Sequence, residues 1–128
     1  MGQRLAAQSI SPDLLLASPA KRAFTTAKSI AKALNYPNEM IQTDEDIYHA
    51  GVGDLLSVIQ KVSDQNRTLM LFGHNPGFTD LANDLAGELI ANVPTAGVVA
   101  IEFQVDQWRN VAPGQGKMLF FDYPKKQD

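Results

Sequence analysis

The sequence predicts an α/β domain whose mostly parallel sheet is covered by helices on both faces. Three observations predict it. Apolar residues recur at helical spacing in three segments, short apolar runs of strand length lie between those segments, and the two kinds alternate along the chain. A parallel strand with helices on both faces buries every side chain, so it reads as an unbroken apolar run.

Residues 1–8 have the pattern of the last turns of a helix, with Leu5 and Ala6 apolar and no capping residue ahead of them. Leu14-Leu15-Leu16-Ala17 is the first buried strand. Residues 19–34 then place Ala20, Ala23, Phe24, Ala27, Ile30, Ala31 and Leu34 on one helical face. A short strand is expected over residues 40–43. Residues 52–62 align Val52, Leu55, Leu56, Ile59 and Val62 as a second helix, and Thr68-Leu69-Met70-Leu71-Phe72 is the next strand. A third helix follows Pro76, with Phe78, Leu81, Ala82, Leu85 and Leu89 together. Residues 98–103 and 118–121 read as two strands with no helix between them. Pro113, Gly114 and Gly116 make the connecting turn over residues 110–116, so this pair forms an antiparallel edge at the C-terminus.

The 128 residues are 45% hydrophobic, which fits one domain spanning 1–128 and leaves no room for a second. A formal net charge of −3 argues against nucleic acid and anionic membrane as partners. Lys125-Lys126, a short basic run near the end, reads as a solvated tail. With no cysteine, disulfides, thiolate metal sites and cysteine nucleophiles are excluded. No apolar run reaches the roughly 20 residues that span a bilayer, and the first residues lack a charged-then-apolar leader pattern. A cytoplasmic location is expected.

Two strand-to-helix junctions share one grammar. The first is Leu16-Ala17-Ser18-Pro19-Ala20-Lys21-Arg22 and the second is Phe72-Gly73-His74-Asn75-Pro76-Gly77. In each a buried strand meets a capping residue, Ser18 or Asn75, with proline expected at the first helical position. Both lie at carboxyl ends of strands, where open α/β sheets bind ligands, and at helix N-termini, which favour anions. Arg22 is suited to fork two hydrogen bonds to phosphoryl oxygens, against the plainer reading of a surface ion pair. His74 sits at the strand tip, against the reading of a satisfied turn histidine. If the two strands are parallel neighbours, Arg22 and His74 meet across 52 positions (74 minus 22) and hold a phosphoryl group.

Four ordered stretches carry a family resemblance: Ser18-Pro19-Ala20-Lys21-Arg22-Ala23 with Thr26-Ala27, Asp46-Ile47-Tyr48-His49-Ala50, Leu71-Phe72-Gly73-His74-Asn75-Pro76-Gly77, and Pro94-Thr95-Ala96-Gly97-Val98. On these the chain resembles the histidine phosphatase superfamily, in its short phosphohistidine-phosphatase (SixA-like) branch, across essentially its whole length. The resemblance implies a phosphoglycerate-mutase-like fold and phosphoryl transfer through a phosphohistidine intermediate, with no metal or other cofactor. It makes Arg22 the second phosphate-clamping arginine and His74 the second pocket histidine, both catalytic, with Ser18 and Asn75 beside the phosphate. The expected partner is a phosphorylated protein, or alternatively a small phosphate ester. With little chain available for an inserted lid, the site is expected to be open.

The family's nucleophile belongs to an Arg-His-Gly motif at the end of a first strand, and no Arg-His-Gly occurs here; His49 and His74 are the two histidines. The resemblance therefore implies that the first, central strand is missing, by truncation, a misplaced start or, less readily, a natural short form, and that covalent catalysis by the family route should fail in the chain as it stands. Self-association through uncovered strand edges, or a rearranged sheet, is expected. A non-catalytic phosphate-binding module and a small-molecule phosphomonoesterase remain alternatives. Glu45, in the acidic run Asp44-Glu45-Asp46, is a candidate acid for the latter, against a solvated loop. His49 is a surface histidine or, less readily, a substitute nucleophile.

Overall fold

A computed structural model describes residues 1–48 and 50–124. His49 and Lys125-Lys126 lie outside the described residues. In chain order the elements are α1 (Gly2–Ala7), β1 (Leu14–Ala17), α2 (Lys21–Ala33), β2 (Gln42–Thr43), α3 (Val52–Gln60), β3 (Leu69–Phe72), α4 (Gly77–Ala86), β4 (Val98–Glu102) and β5 (Lys117–Asp122). Single 3₁₀ turns cover Asn38–Met40, Glu45–Ile47 and Trp108–Asn110.

β1 is the centre of a three-stranded parallel sheet of order β2-β1-β3, with Leu14 opposite Leu69, Ala17 opposite Phe72 and Leu16 opposite Gln42. All four of its residues are buried, as an apolar strand flanked by strands and helices requires. Leu16 joins a core with Leu55, Val58 and Ile59 of α3 and Leu81 and Leu85 of α4. Side chains alternate along a strand, so Leu15 and Ala17 face the other way. There α2 packs on β1 through the stripe Ala23, Ala27, Ile30 and Ala31. Its small alanines let the helix approach closely. α1 packs on α2, with Leu5 buried. The sheet is thus covered on both faces.

The last two strands pair antiparallel, Val98 opposite Asp122, with a register irregularity between Ala100 and Ile101. They hydrogen-bond as their own two-stranded sheet, separate from the parallel one. Hydrogen bonds at both ends tie it to the rest of the chain. Arg4 of α1 donates to the Asp122 carboxylate at 2.8 Å and to the carbonyls of Tyr123 and Pro124. At the other end, the Gly114 and Gly116 amides donate to the Asp84 and Leu85 carbonyls of α4, each at 2.8 Å.

Several boundaries differ from the sequence reading. Both prolines precede their helices: α2 starts at Lys21 after Ala20, and α4 at Gly77 after Pro76. Met40 lies in a 3₁₀ turn, leaving β2 only two residues long. α4 ends at Gly87, whose φ of +66° is a left-handed cap, so Leu89 falls beyond the helix and is 98% exposed. Trp108 packs against the core, its indole donating to the Asn66 carbonyl at 2.6 Å.

Candidate functional site

The parallel register brings Ser18 and His74, 56 positions apart in sequence, to the same end of adjacent strands. The Ser18 amide extends the ladder by donating to the Phe72 carbonyl at 2.9 Å. Its side chain is fully buried. The hydroxyl oxygen accepts from the Ala20 amide at 3.2 Å and lies 2.9 Å from His74 Nε2. One serine therefore holds the turn into α2 and fixes the imidazole.

His74 is half-buried and is steered by its neighbours. A Cβ on Gly73 would come within 2.4 Å of the Phe78 ring and 2.8 Å of Ile47 Cγ2, so only glycine lets the chain turn out of β3 there. Ile47 is buried in the core although it lies in a 3₁₀ turn. It pins the segment after β2 and sets Tyr48 edge-on to His74, with ring centroids 5.7 Å apart and an interplanar angle of 80°. Glu45 is exposed on this same turn, whose start is fixed by the Asp44 carboxylate accepting from the Asp46 amide. β2 runs parallel to β1, so Glu45 lies beyond the same sheet end as Ser18 and His74.

The two junctions, alike in sequence, differ in what their helices leave open. At α4 the first turn is satisfied internally except at the Gly77 amide, which has no acceptor among the described residues. Phe78 donates its amide to the His74 carbonyl, and the Asn75 carboxamide oxygen accepts from the Thr79 amide and hydroxyl at 3.1 and 2.8 Å. The Asn75 amide group in turn donates to the Val93 carbonyl at 2.7 Å and reaches Asn92. Asn75 thus clamps the loop of residues 92–93 to α4. At α2, the amides of Lys21, Arg22 and Ala23 have no protein acceptor among the described residues. The first turn holds Lys21 and Arg22 and no acid, the reverse of what a helix dipole prefers. Both cationic side chains are exposed. Free amides with cations beside them are the surroundings a helix N-terminus offers an anion; α2 leaves three such amides open and α4 one, and His74 lies alongside the α2 junction.

Ser18, Arg22, His74 and Glu45 all occupy one end of the parallel sheet, and Asn75 stands behind His74. Lys21 and Tyr48 belong to the same neighbourhood and were not singled out from sequence. Lys21 carried a signal, a second cation in a first turn without acids; Tyr48 stood in one of the four ordered stretches, but its ring contact with His74 depends on a partner far along the chain. Among the described residues no group of His, Asp and Glu side chains is placed to share a metal ion, and no helix is long and apolar enough to cross a membrane.

No protein-family model matches the chain, and no curated protein matches it. Solved structures do. The candidate phosphohistidine phosphatase SixA from Nakamurella multipartitia superposes with a TM-score of 0.80 at 16% identity, over 98% of this chain and 78% of its own. The corresponding candidate from Agrobacterium tumefaciens gives 0.76 at 23% identity, over 96% of this chain and 75% of its own. The protein histidine phosphatase SixA complexed with tungstate gives 0.77 at 19% identity, over 94% and 74%. At these identities the likeness is one of architecture, and on it the chain shares the phosphoglycerate-mutase-like fold of the SixA-like histidine phosphatases.

Proposed function

We propose that this chain carries the phosphoryl-binding half of a phosphohistidine phosphatase site, acting on phosphorylated protein in the cytoplasm. The observation that carries this reading is the pairing of His74 Nε2 with the buried Ser18 hydroxyl at 2.9 Å, beside a helix N-terminus that presents free amides with Lys21 and Arg22. In this reading Arg22 forks to two phosphoryl oxygens, the α2 amides meet a third, and His74 donates to the oxygen nearest Ser18. Donors fixed before the reaction stabilise the charge that spreads over the equatorial oxygens during phosphoryl transfer. Asn75, its own side chain already engaged, positions the His74 loop rather than touching phosphate. The full reaction moves the phosphoryl group from a protein histidine to a nucleophilic histidine and then to water. These 128 residues contain no Arg-His-Gly, so the nucleophile would come from outside them. That absence also supports a second reading, a module that binds phosphorylated partners without turnover.

Tungstate, present in one of the solved structures of this fold, is the probe. Titrated against this chain and monitored by NMR, it is expected to shift the Ser18, Lys21, Arg22 and Ala23 amides. Arg22→Ala and His74→Ala should each weaken binding by roughly tenfold, about 1.4 kcal/mol. Equal affinity in the parent and both variants would sink the assignment of the site. Hydrolysis of a phosphohistidine peptide by the chain alone would instead sink the claim that its nucleophile lies elsewhere.

A further inference from the structure

The outer surface of α2 carries charge of one sign. Residues 14–38 hold Lys21, Arg22, Lys28 and Lys32 and no Asp or Glu, whereas the chain as a whole stands at −3. The other residues therefore carry −7 (−3 minus 4). Each residue advances a helix by about 100°, so Lys21, Lys28 and Lys32 fall within about 40° of one another, with Thr25 beside them. These four residues are exposed, on the side turned away from Ala23, Ala27, Ile30 and Ala31, which pack inward. α1 approaches α2 elsewhere, at Ile30 and Ala33 beside Gly2.

The stripe differs from an ordinary solvated helix face. Exposed lysines commonly stand three or four positions from glutamates, which stabilises the helix. Here Lys28 and Lys32 are themselves four apart and repel, and Lys21 occupies the positive end of the dipole; both arrangements act against the helix. Among the described residues none of the four cations lies within ion-pair distance of a carboxylate. The Lys28 ammonium sits 4.9 Å from the centre of the Phe24 ring, which draws it back one turn toward Lys21.

We propose that this stripe docks an acidic face of the phosphorylated protein, whose carboxylates pair with Lys28 and Lys32 while its phosphoryl group enters beside Arg22 and His74. The proposal rests on the phosphoryl reading above and adds the chemistry of the partner's surface around the phosphate. At a rise of about 1.5 Å per residue, Lys28 and Lys32 stand roughly 10 and 16 Å beyond Lys21, so the partner's acids lie at about those distances from its phosphorylated side chain. A protein fits better than a nucleic acid or an anionic membrane. The stripe is only one helix long, and the negative charge of the remaining chain repels any polyanion that extends past it.

The test follows the amides of the full chain by NMR while two probes are added separately: tungstate, and a capped, unphosphorylated helical peptide with glutamates along one face. The peptide is expected to shift Thr25, Lys28 and Lys32, and tungstate to shift Ser18 and Arg22. In a Lys28→Gln/Lys32→Gln chain the peptide should bind on the order of fivefold more weakly, with tungstate affinity unchanged. A parent chain that answers to tungstate and not to the peptide would overturn the docking proposal and leave the phosphoryl reading standing. So would a double variant that binds the peptide as well as the parent does. A chain that answers to the peptide and not to tungstate would overturn the phosphoryl reading and, with it, the partner named here. Single-stranded DNA or phosphatidylglycerol vesicles that shift the stripe amides as strongly as the peptide would also overturn the proposal, because the stripe would then take any polyanion.

Discussion

At the scale of single residues, the Ser18 hydroxyl joins two distant parts of the chain. Removing it strips a buried acceptor from the Ala20 amide and a partner from His74 Nε2 at once. A buried polar group left without a partner costs about 1–3 kcal/mol. Ser18→Ala is therefore expected to lose that much stability in urea unfolding and to weaken tungstate binding along with it. Arg22 contrasts with it. Its side chain is exposed and makes no hydrogen bond to protein among the described residues, so Arg22→Ala should weaken tungstate while leaving the urea midpoint unchanged. A shifted midpoint in Arg22→Ala would mean that the arginine serves the fold. His74 and Arg22 could be picked out from the sequence because their residue types and positions at strand ends are local facts. That the Asn75 carboxamide is engaged by Thr79 and Val93 and that Ser18 turns to the histidine was not legible, since these partners lie elsewhere in the chain, 56 positions away for Ser18.

At the scale of elements, the β3–α4 junction depends on two glycines with no space for a side chain. A Cβ at Gly77 would lie 2.4 Å from the Ala50 carbonyl oxygen, and one at Gly73 would meet the Phe78 ring. Either alanine forces a shift of neighbouring structure, which costs roughly 1–3 kcal/mol. Gly77→Ala should be the worse tolerated, because backbone yields less readily than the edge of a ring. Gly53, inside α3, has nothing within 4 Å of its added Cβ, so Gly53→Ala should stabilise by about 0.5–1 kcal/mol. Thermal melts of the three variants test this ordering, and a stabilised Gly77→Ala would refute the packing described for the junction. The helices and strands were legible in the sequence to within a few residues, because an apolar period is set by neighbours three or four positions apart. Their ends were less so: proline marks where a helix is about to begin, and the first hydrogen-bonded turn forms one or two residues later.

At the scale of the whole molecule, Arg4 is one of the ties between the antiparallel pair and the rest of the chain. The Arg4–Asp122 pair is partly exposed, with side chains 42% and 20% accessible, so its loss should cost less than about 1 kcal/mol overall. Its effect should be local. Arg4→Ala is expected to speed amide exchange in β5 several-fold while β1, buried between its neighbours, stays as protected as before. Uniform acceleration across both sheets would show instead that they open as one unit.

By itself, the sequence determined the alternation of elements, the apolar strands, the helical faces and the residue types at two strand-to-helix junctions. Each of these rests on interactions among neighbours in the chain, which periodicity and capping chemistry encode directly. Only the tertiary structure decided which helix N-terminus keeps most of its first amides without a protein acceptor, that Tyr48 stands against His74, and that the final strands form a sheet of their own. Those outcomes depend on which distant backbone and side-chain groups satisfy one another, and hydrogen-bond partners chosen across 50 or more positions leave no period in the sequence.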